Sequence, residues 1–142
     1  MAERTAQYWL KKAEEALGAV VASVLILEDD HVIGQMLSEL LQEAGYQVVG
    51  PAASVESARV LVAEHGINAA LLDIDLGAEG LCFGFATMLQ AQRIPFAFLT
   101  AYSHRLTPIE LRESPRIEKP FSHEEVLTVV QHLLGDAAGR AR

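Results

Sequence analysis

The 142-residue chain is 51% hydrophobic and 21% charged, the composition of one globular domain and far from that of a disordered one. Its net charge of −8 repels phosphate backbones, so nucleic acid is not an expected partner. No apolar run reaches the ~18 residues of a membrane span, and nothing has the flanks of a secretory signal. A soluble, cytoplasmic protein is expected, and its lone cysteine, Cys82, reads as a small buried hydrophobe rather than part of a disulfide or zinc site.

Residues 1–22 read as a helical extension. Trp9, Leu10, Ala13, Leu17, Val20 and Val21 line one side of it, suited either to packing on its own domain or to contact with a second copy or a partner. Residues 24–27 are a short apolar run ended by Glu28, Asp29 and Asp30, the pattern of a buried strand with acids at its carboxyl end. Val32, Ile33, Met36, Leu37, Leu40, Leu41 and Ala44 recur at helical spacing before Gly45, with Asp30 as the cap. Residues 46–49 form a second strand, closed by Gly50 and Pro51. Ser54 caps a helix that stops at Gly66.

Residues 69–74 are a wholly apolar strand apart from Asp73. Residues 81–90 favour helix despite Gly84 and Thr87. Residues 96–99 make a fourth strand, ended by Thr100. Pro108 and Pro115 leave room for only a short helix before the brief fifth strand at 116–118. Ser122 and Glu125 make a capping box for a helix through Leu134, and residues 136–142 read as a flexible tail. Five strands alternating with helices predict an α/β, doubly wound parallel sheet over residues 23–135.

Ligands of such sheets bind beyond the carboxyl ends of the strands. Glu28 and Asp29, Asp73, Thr100 and Lys119 stand at four of those ends. Three carboxylates in one crevice repel unless a cation joins them, and hard oxygens suit Mg²⁺. A lysine and a hydroxyl add what a phosphoryl group needs, a point charge and a donor. Asp73 is then the nucleophile. The five histidines show no ligand spacing, and His31 reads as solvated.

VLILEDD, ALLDIDL, FLTAY and EKPFS, in this order and each at a strand end, resemble the signature segments of the response-regulator receiver domains of two-component systems. The resemblance implies a flavodoxin-like five-stranded sheet of order 2-1-3-4-5. It implies Asp73 as phosphoacceptor, Glu28 and Asp29 as the acid pair (Asp29 the more direct Mg²⁺ ligand), and the Asp75 backbone carbonyl as a further ligand. Thr100 contacts the phosphoryl group and Lys119 bridges to Asp73. A histidine kinase or histidine phosphotransfer protein is the implied donor, and an unnamed protein the target.

Three features depart from that pattern. The proline usual in the loop after the phosphoacceptor is missing, with Gly77 and Gly80 giving the flexibility instead. Lys119 follows Thr100 by only 19 positions, which shortens the helix between the fourth and fifth strands. Arg116 stands where receivers usually carry an aromatic that reports the state of the threonine. Tyr102, two residues past Thr100, is the large residue left to carry that movement. FLTAY and the shortened helix resemble an atypical receiver subgroup known from alphaproteobacteria. Two other readings stay open. A haloacid-dehalogenase-like phosphatase also uses an Asp nucleophile with Thr or Ser, Lys and Mg²⁺, although there the acid motif follows the lysine. A pseudo-receiver would bind partners without phosphorylation. The favoured reading is a phosphoacceptor rather than an enzyme.

Overall fold

The computed structural model describes residues 6, 8, 9, 21–77, 80–101 and 107–141, the side chains of 136–141 excepted. Strand and helix alternate through β1 (Ser23–Leu27), α1 (His31–Glu43), β2 (Gln47–Ala52), α2 (Val55–Glu64), β3 (Ala69–Asp73), α3 (Phe83–Ala91) and β4 (Phe96–Thr100). A 3₁₀ turn (Ile109–Leu111), β5 (Arg116–Glu118) and α4 (His123–Ala141) complete the order. The strands form one sheet, β2-β1-β3-β4-β5, and every pairing is parallel. This is the doubly wound sheet expected from the alternation, in the flavodoxin-like order that the resemblance implies.

The apolar strands have no polar face because both faces are covered. Val24, Ile26, Leu71, Ala97 and Leu99 meet Leu37, Leu41, Val126 and Val130 of α1 and α4 on one side. Leu25, Leu27, Leu72, Phe96 and Phe98 meet Ala58, Phe85, Ala86 and Leu89 of α2 and α3 on the other. Truncating one of these fully buried leucines to alanine costs about 2–5 kcal/mol. Phe98 also meets Phe83 and Phe96 edge to face, at 5.8 and 5.4 Å between ring centroids, so β4 is held by aromatic packing as well as by its ladders.

Caps follow the local chemistry. The Asp30 carboxylate accepts from the Val32 and Ile33 amides at 2.9 and 3.1 Å, and Ser54 Oγ accepts from Ser57 N–H at 3.1 Å. Ser122 Oγ accepts from Glu125 N–H at 3.1 Å and donates to the Glu125 carboxylate.

Three boundaries differ from expectation. β2 runs on to Ala52 through Gly50 and Pro51, because glycine at φ +96° lets the backbone pass where a Cβ would stand 2.7 Å from Ala52 N. Residues 81 and 82 lie outside α3, held by an antiparallel bridge from Asp75 to Leu81 and by Cys82 N–H donating to Ile74 O. α4 continues past Leu134 to Ala141, through the segment expected as a tail. Of the N-terminal extension only Ala6, Tyr8 and Trp9 are described with helical backbone, and Trp9 is exposed. Leu10, Ala13, Leu17 and Val20 lie outside the described residues.

Candidate functional site

β1 and β3 are neighbours, while their outgoing connections lead to helices on opposite faces of the sheet. Their carboxyl ends therefore open into one crevice. Ligand oxygens of Glu28, Asp29 and Asp73 all lie within 4.8 Å of one another there. Glu28 and Asp73 are buried, and Asp29 is exposed at the mouth.

Lys119, just beyond β5, reaches into the same crevice. Its ammonium donates to Glu28 Oε2 at 2.9 Å and stands 3.4 Å from Asp73 Oδ2. Glu28 Oε1 accepts from Asp30 N–H at 3.2 Å, so both Glu28 oxygens have protein partners. Asp73 Oδ1 accepts from Asp75 N–H at 3.3 Å.

These contacts set the proton affinities. Burial and the adjoining Glu28 carboxylate push Asp73 up to about 7, and Lys119 only partly offsets them. Burial pulls the Lys119 ammonium down, but the hydrogen bond and charge of Glu28, joined by Asp73, leave it raised. Two buried acids that share one lysine, beside an exposed third acid, fit a hard divalent cation such as Mg²⁺. The Asp29, Asp73 and Glu28 carboxylates are its candidate ligands.

The loop after β3 gives this mouth its shape. Leu76 N–H donates to Gly80 O and Gly80 N–H to Gly77 O, while the Asp75 carboxylate accepts from Gly77 N–H at 2.9 Å. Gly77 has φ +63°, and a Cβ there would lie 3.4 Å from Asp29 Oδ2. Sequence reasoning took Gly77 and Gly80 only as loop flexibility and missed that Gly77 abuts an acid of the site. Its signal was two glycines three residues apart directly after a strand-end acid.

Thr100 ends β4 and is buried, and its carbonyl accepts from Lys119 N–H at 2.8 Å. Asp75 sits in the bridge to Leu81, which fixes the backbone whose carbonyl was expected to face the cation. Cys82 is fully buried, and burial with the nearby Asp73 charge pushes its thiol up to about 12. His31 is exposed. Tyr102 lies outside the described residues.

Arg116 is not part of the crevice. Its guanidinium carbon lies 5.3 Å from the centroid of the Phe98 ring, its register partner on β4. Both terminal nitrogens are buried and no hydrogen-bond partner satisfies them, and burial lowers its proton affinity. The side chain at the position of the usual aromatic is thus half-buried, with the face of the Phe98 ring as a close support.

Known proteins match this arrangement. The family described as the response regulator receiver domain matches residues 24–131. The chain is 30% identical over 122 residues to the transcriptional regulatory protein PdtaR of Mycobacterium tuberculosis, across 82% of this chain and 58% of PdtaR. The solution structure of SdrG from Sphingomonas melonis is 32% identical with a TM-score of 0.70, covering 81% of this chain and 98% of that one. The PhyR response-regulator receiver domain of Erythrobacter litoralis is 29% identical with a TM-score of 0.72, covering 82% and 92%. The chain spans about half the length of the curated relatives it matches.

Proposed function

The chain belongs to the response regulator receiver domain family, and on that premise we propose that Asp73 accepts one phosphoryl group from the phosphohistidine of a histidine kinase or histidine phosphotransfer protein. The observation that carries this reading is the meeting of Glu28, Asp29 and Asp73 within 4.8 Å with Lys119 on two of the three.

An Asp73 carboxylate oxygen attacks phosphorus in line. The new O–P bond forms as the N–P bond of the phosphohistidine breaks, and the imidazole leaves with that electron pair and takes up a proton. A Mg²⁺ ion, when bound, neutralises charge on the phosphoryl oxygens. Asp29 and Asp73 would hold that ion, with the Asp75 carbonyl as a further ligand, and Glu28 would act mainly through its charge because both its oxygens already have protein partners. Lys119 offers a point charge to the phosphoryl oxygens and Thr100 a hydroxyl donor. Burial of Asp73 keeps water from the nucleophile before transfer.

The phosphoprotein then signals through protein contacts, with Thr100 and Tyr102 carrying the switch and Arg116 holding the position of the usual aromatic without moving. Residues 1–22, most of them outside the described residues, are read as an extension that packs on its own domain or meets a partner or a second copy, beside a receiver spanning 23–135. Intact-mass measurement with Mg²⁺ and acetyl phosphate tests the core of this reading. One added phosphoryl group per chain is expected, and none in Asp73→Asn. Labelling of that variant at the wild-type level, or continuous turnover of a generic phosphate ester, would favour the haloacid-dehalogenase-like alternative or another acceptor.

A further inference from the structure

The amino ends of the parallel strands form the base of the sheet, opposite the acid crevice. An open groove of ≈ 330 Å³ lies there, floored by Ile94, Phe96, Pro115 and Leu133. The exposed Arg93 and Glu113 stand on its rim. Among the described residues the 3₁₀ turn Ile109–Leu111 is the only helical element between β4 and β5, so no long helix of that connection covers this floor. Gln90 Nε2 donates to Glu110 O at 3.4 Å and ties α3 to that turn across the groove.

Arg93 stands on that rim against its backbone preference. Its φ is +62°, and among the described residues no other side-chain-bearing residue has a positive φ. Arg93 N–H donates to Gln90 O and Ile94 N–H to Leu89 O, the helix ending in which glycine is usual. The base is also where the extension joins the domain. Val21 is exposed beside the entry to β1, where Ser23 N–H donates to Asn68 Oδ1 at 2.8 Å. Trp9, the one tryptophan of the chain, is 62% exposed, with the Tyr8 ring edge to face at 5.2 Å. Run as a helix, the stretch from Trp9 to Val21 spans roughly 18 Å. Two to three strand spacings set the groove only about 10–14 Å from the start of β1, so Trp9 reaches it.

We infer that the groove is the seat of Trp9 of the same chain: the extension crosses the base of the sheet as a strap and lays the indole on Phe96, Ile94 and Leu133. This rests on the reading of residues 1–22 as an extension that packs on its own domain, and it names the place. The structure holds the open position, with the ring outside the groove. In the closed position Arg93 lies against the face of the indole. Lys12, three residues on and therefore on the same side of a helix, meets Glu113. An aromatic of this size buries more apolar surface than any other side chain of the segment. The groove and Asp73 are at opposite ends of the strands, so the strap closes without covering the phosphoacceptor.

The lone tryptophan makes the full chain its own probe. Its emission and its quenching by acrylamide are read from low to high micromolar chain and again in urea. In the folded chain the emission lies to the blue of the unfolded value and quenching is severalfold weaker, equally at every concentration. Arg93→Gly suits the positive φ and keeps the fold, which urea unfolding checks. This variant and Glu113→Arg each raise quenching toward the unfolded value. A ring quenched as in urea overturns both the strap and the reading of a packed extension. Shielding that grows with concentration assigns the ring to a second copy and overturns the strap. Shielding that neither variant alters overturns the groove as its seat and leaves the extension packed elsewhere on the domain.

Discussion

Glu28 and Lys119 form an ion pair at 2.9 Å in which the Glu28 side chain has no exposure at all. The lysine stands 3.4 Å from Asp73, so its nearer partner before any chemistry is Glu28. Removing the Glu28 charge leaves a half-buried ammonium with one acid instead of two. Glu28→Gln is expected to lower stability by about 1–3 kcal/mol, read by urea unfolding without metal. A loss close to zero would mean that the pair is dispensable.

The two acids of the pair should separate in a Mg²⁺ titration. Asp29 has no hydrogen bond to Lys119, whereas both Glu28 oxygens are engaged. Asp29→Ala should weaken Mg²⁺ binding by tenfold or more, roughly 1.4 kcal/mol, and phosphorylation with it. Glu28→Ala should weaken binding less. Equal losses would place Glu28 on the ion directly.

The raised proton affinity of Asp73 makes metal-free stability depend on pH in a definite direction. Moving a carboxyl from 3.8 to about 7 means that between those values the folded protein holds a proton that the unfolded chain has released. Raising the pH therefore favours unfolding across that window, and stability falls as pH rises from about 4 to about 7. The full effect is at most about 4 kcal/mol. Asp73→Asn should remove this slope and make the metal-free protein more stable at pH 8. Excess Mg²⁺ should reduce the wild-type loss, because it binds the ionised form. A metal-free stability that is flat or rising across the window would contradict the assignment.

Gly77 faces two constraints at once, a φ of +63° and an Asp29 oxygen 3.4 Å from where its Cβ would stand. Gly77→Ala should cost about 1–2 kcal/mol from backbone conformation and lower Mg²⁺ affinity as well. Gly80, also at positive φ but with nothing within 4 Å, supplies the control: Gly80→Ala should lower stability and leave metal affinity unchanged. Calorimetry with Mg²⁺ separates the two.

Arg116→Leu tests the orphaned guanidinium. Two unsatisfied nitrogens disappear, and so does the contact with Phe98. The expected net gain is about 1 kcal/mol in thermal or urea unfolding at dilute concentration, and a loss would show that the stacking contact outweighs the missing acceptors.

The alternation of strands and helices and the acid cluster were legible because they rest on strong local signals, the apolar runs at 24–27, 69–72 and 96–99 each ended by a charge or hydroxyl, whereas the order of the strands across the sheet came only from the family resemblance. Asp30 was readable as a cap for the same reason. The continuation of β2 through Gly50 and Pro51 was not, since those residues normally end a strand and only the neighbouring Ile26 and Ala52 backbone makes the exception. The closeness of Gly77 to Asp29 depends on a loop folding back over another strand's end, which no spacing encodes. The partition of Lys119 between Glu28 and Asp73 is likewise a matter of fractions of an ångström between distant segments.

Cys82 gives the protein a built-in reporter. Its thiol is fully buried and pushed up to about 12, so at neutral pH almost none of it is thiolate and a thiol reagent finds nothing to attack in the closed fold. Its amide is tied to Ile74, the residue after Asp73. The rate at which this one thiol becomes reactive therefore counts openings of the chain around the phosphoacceptor strand, with no label introduced and no residue changed.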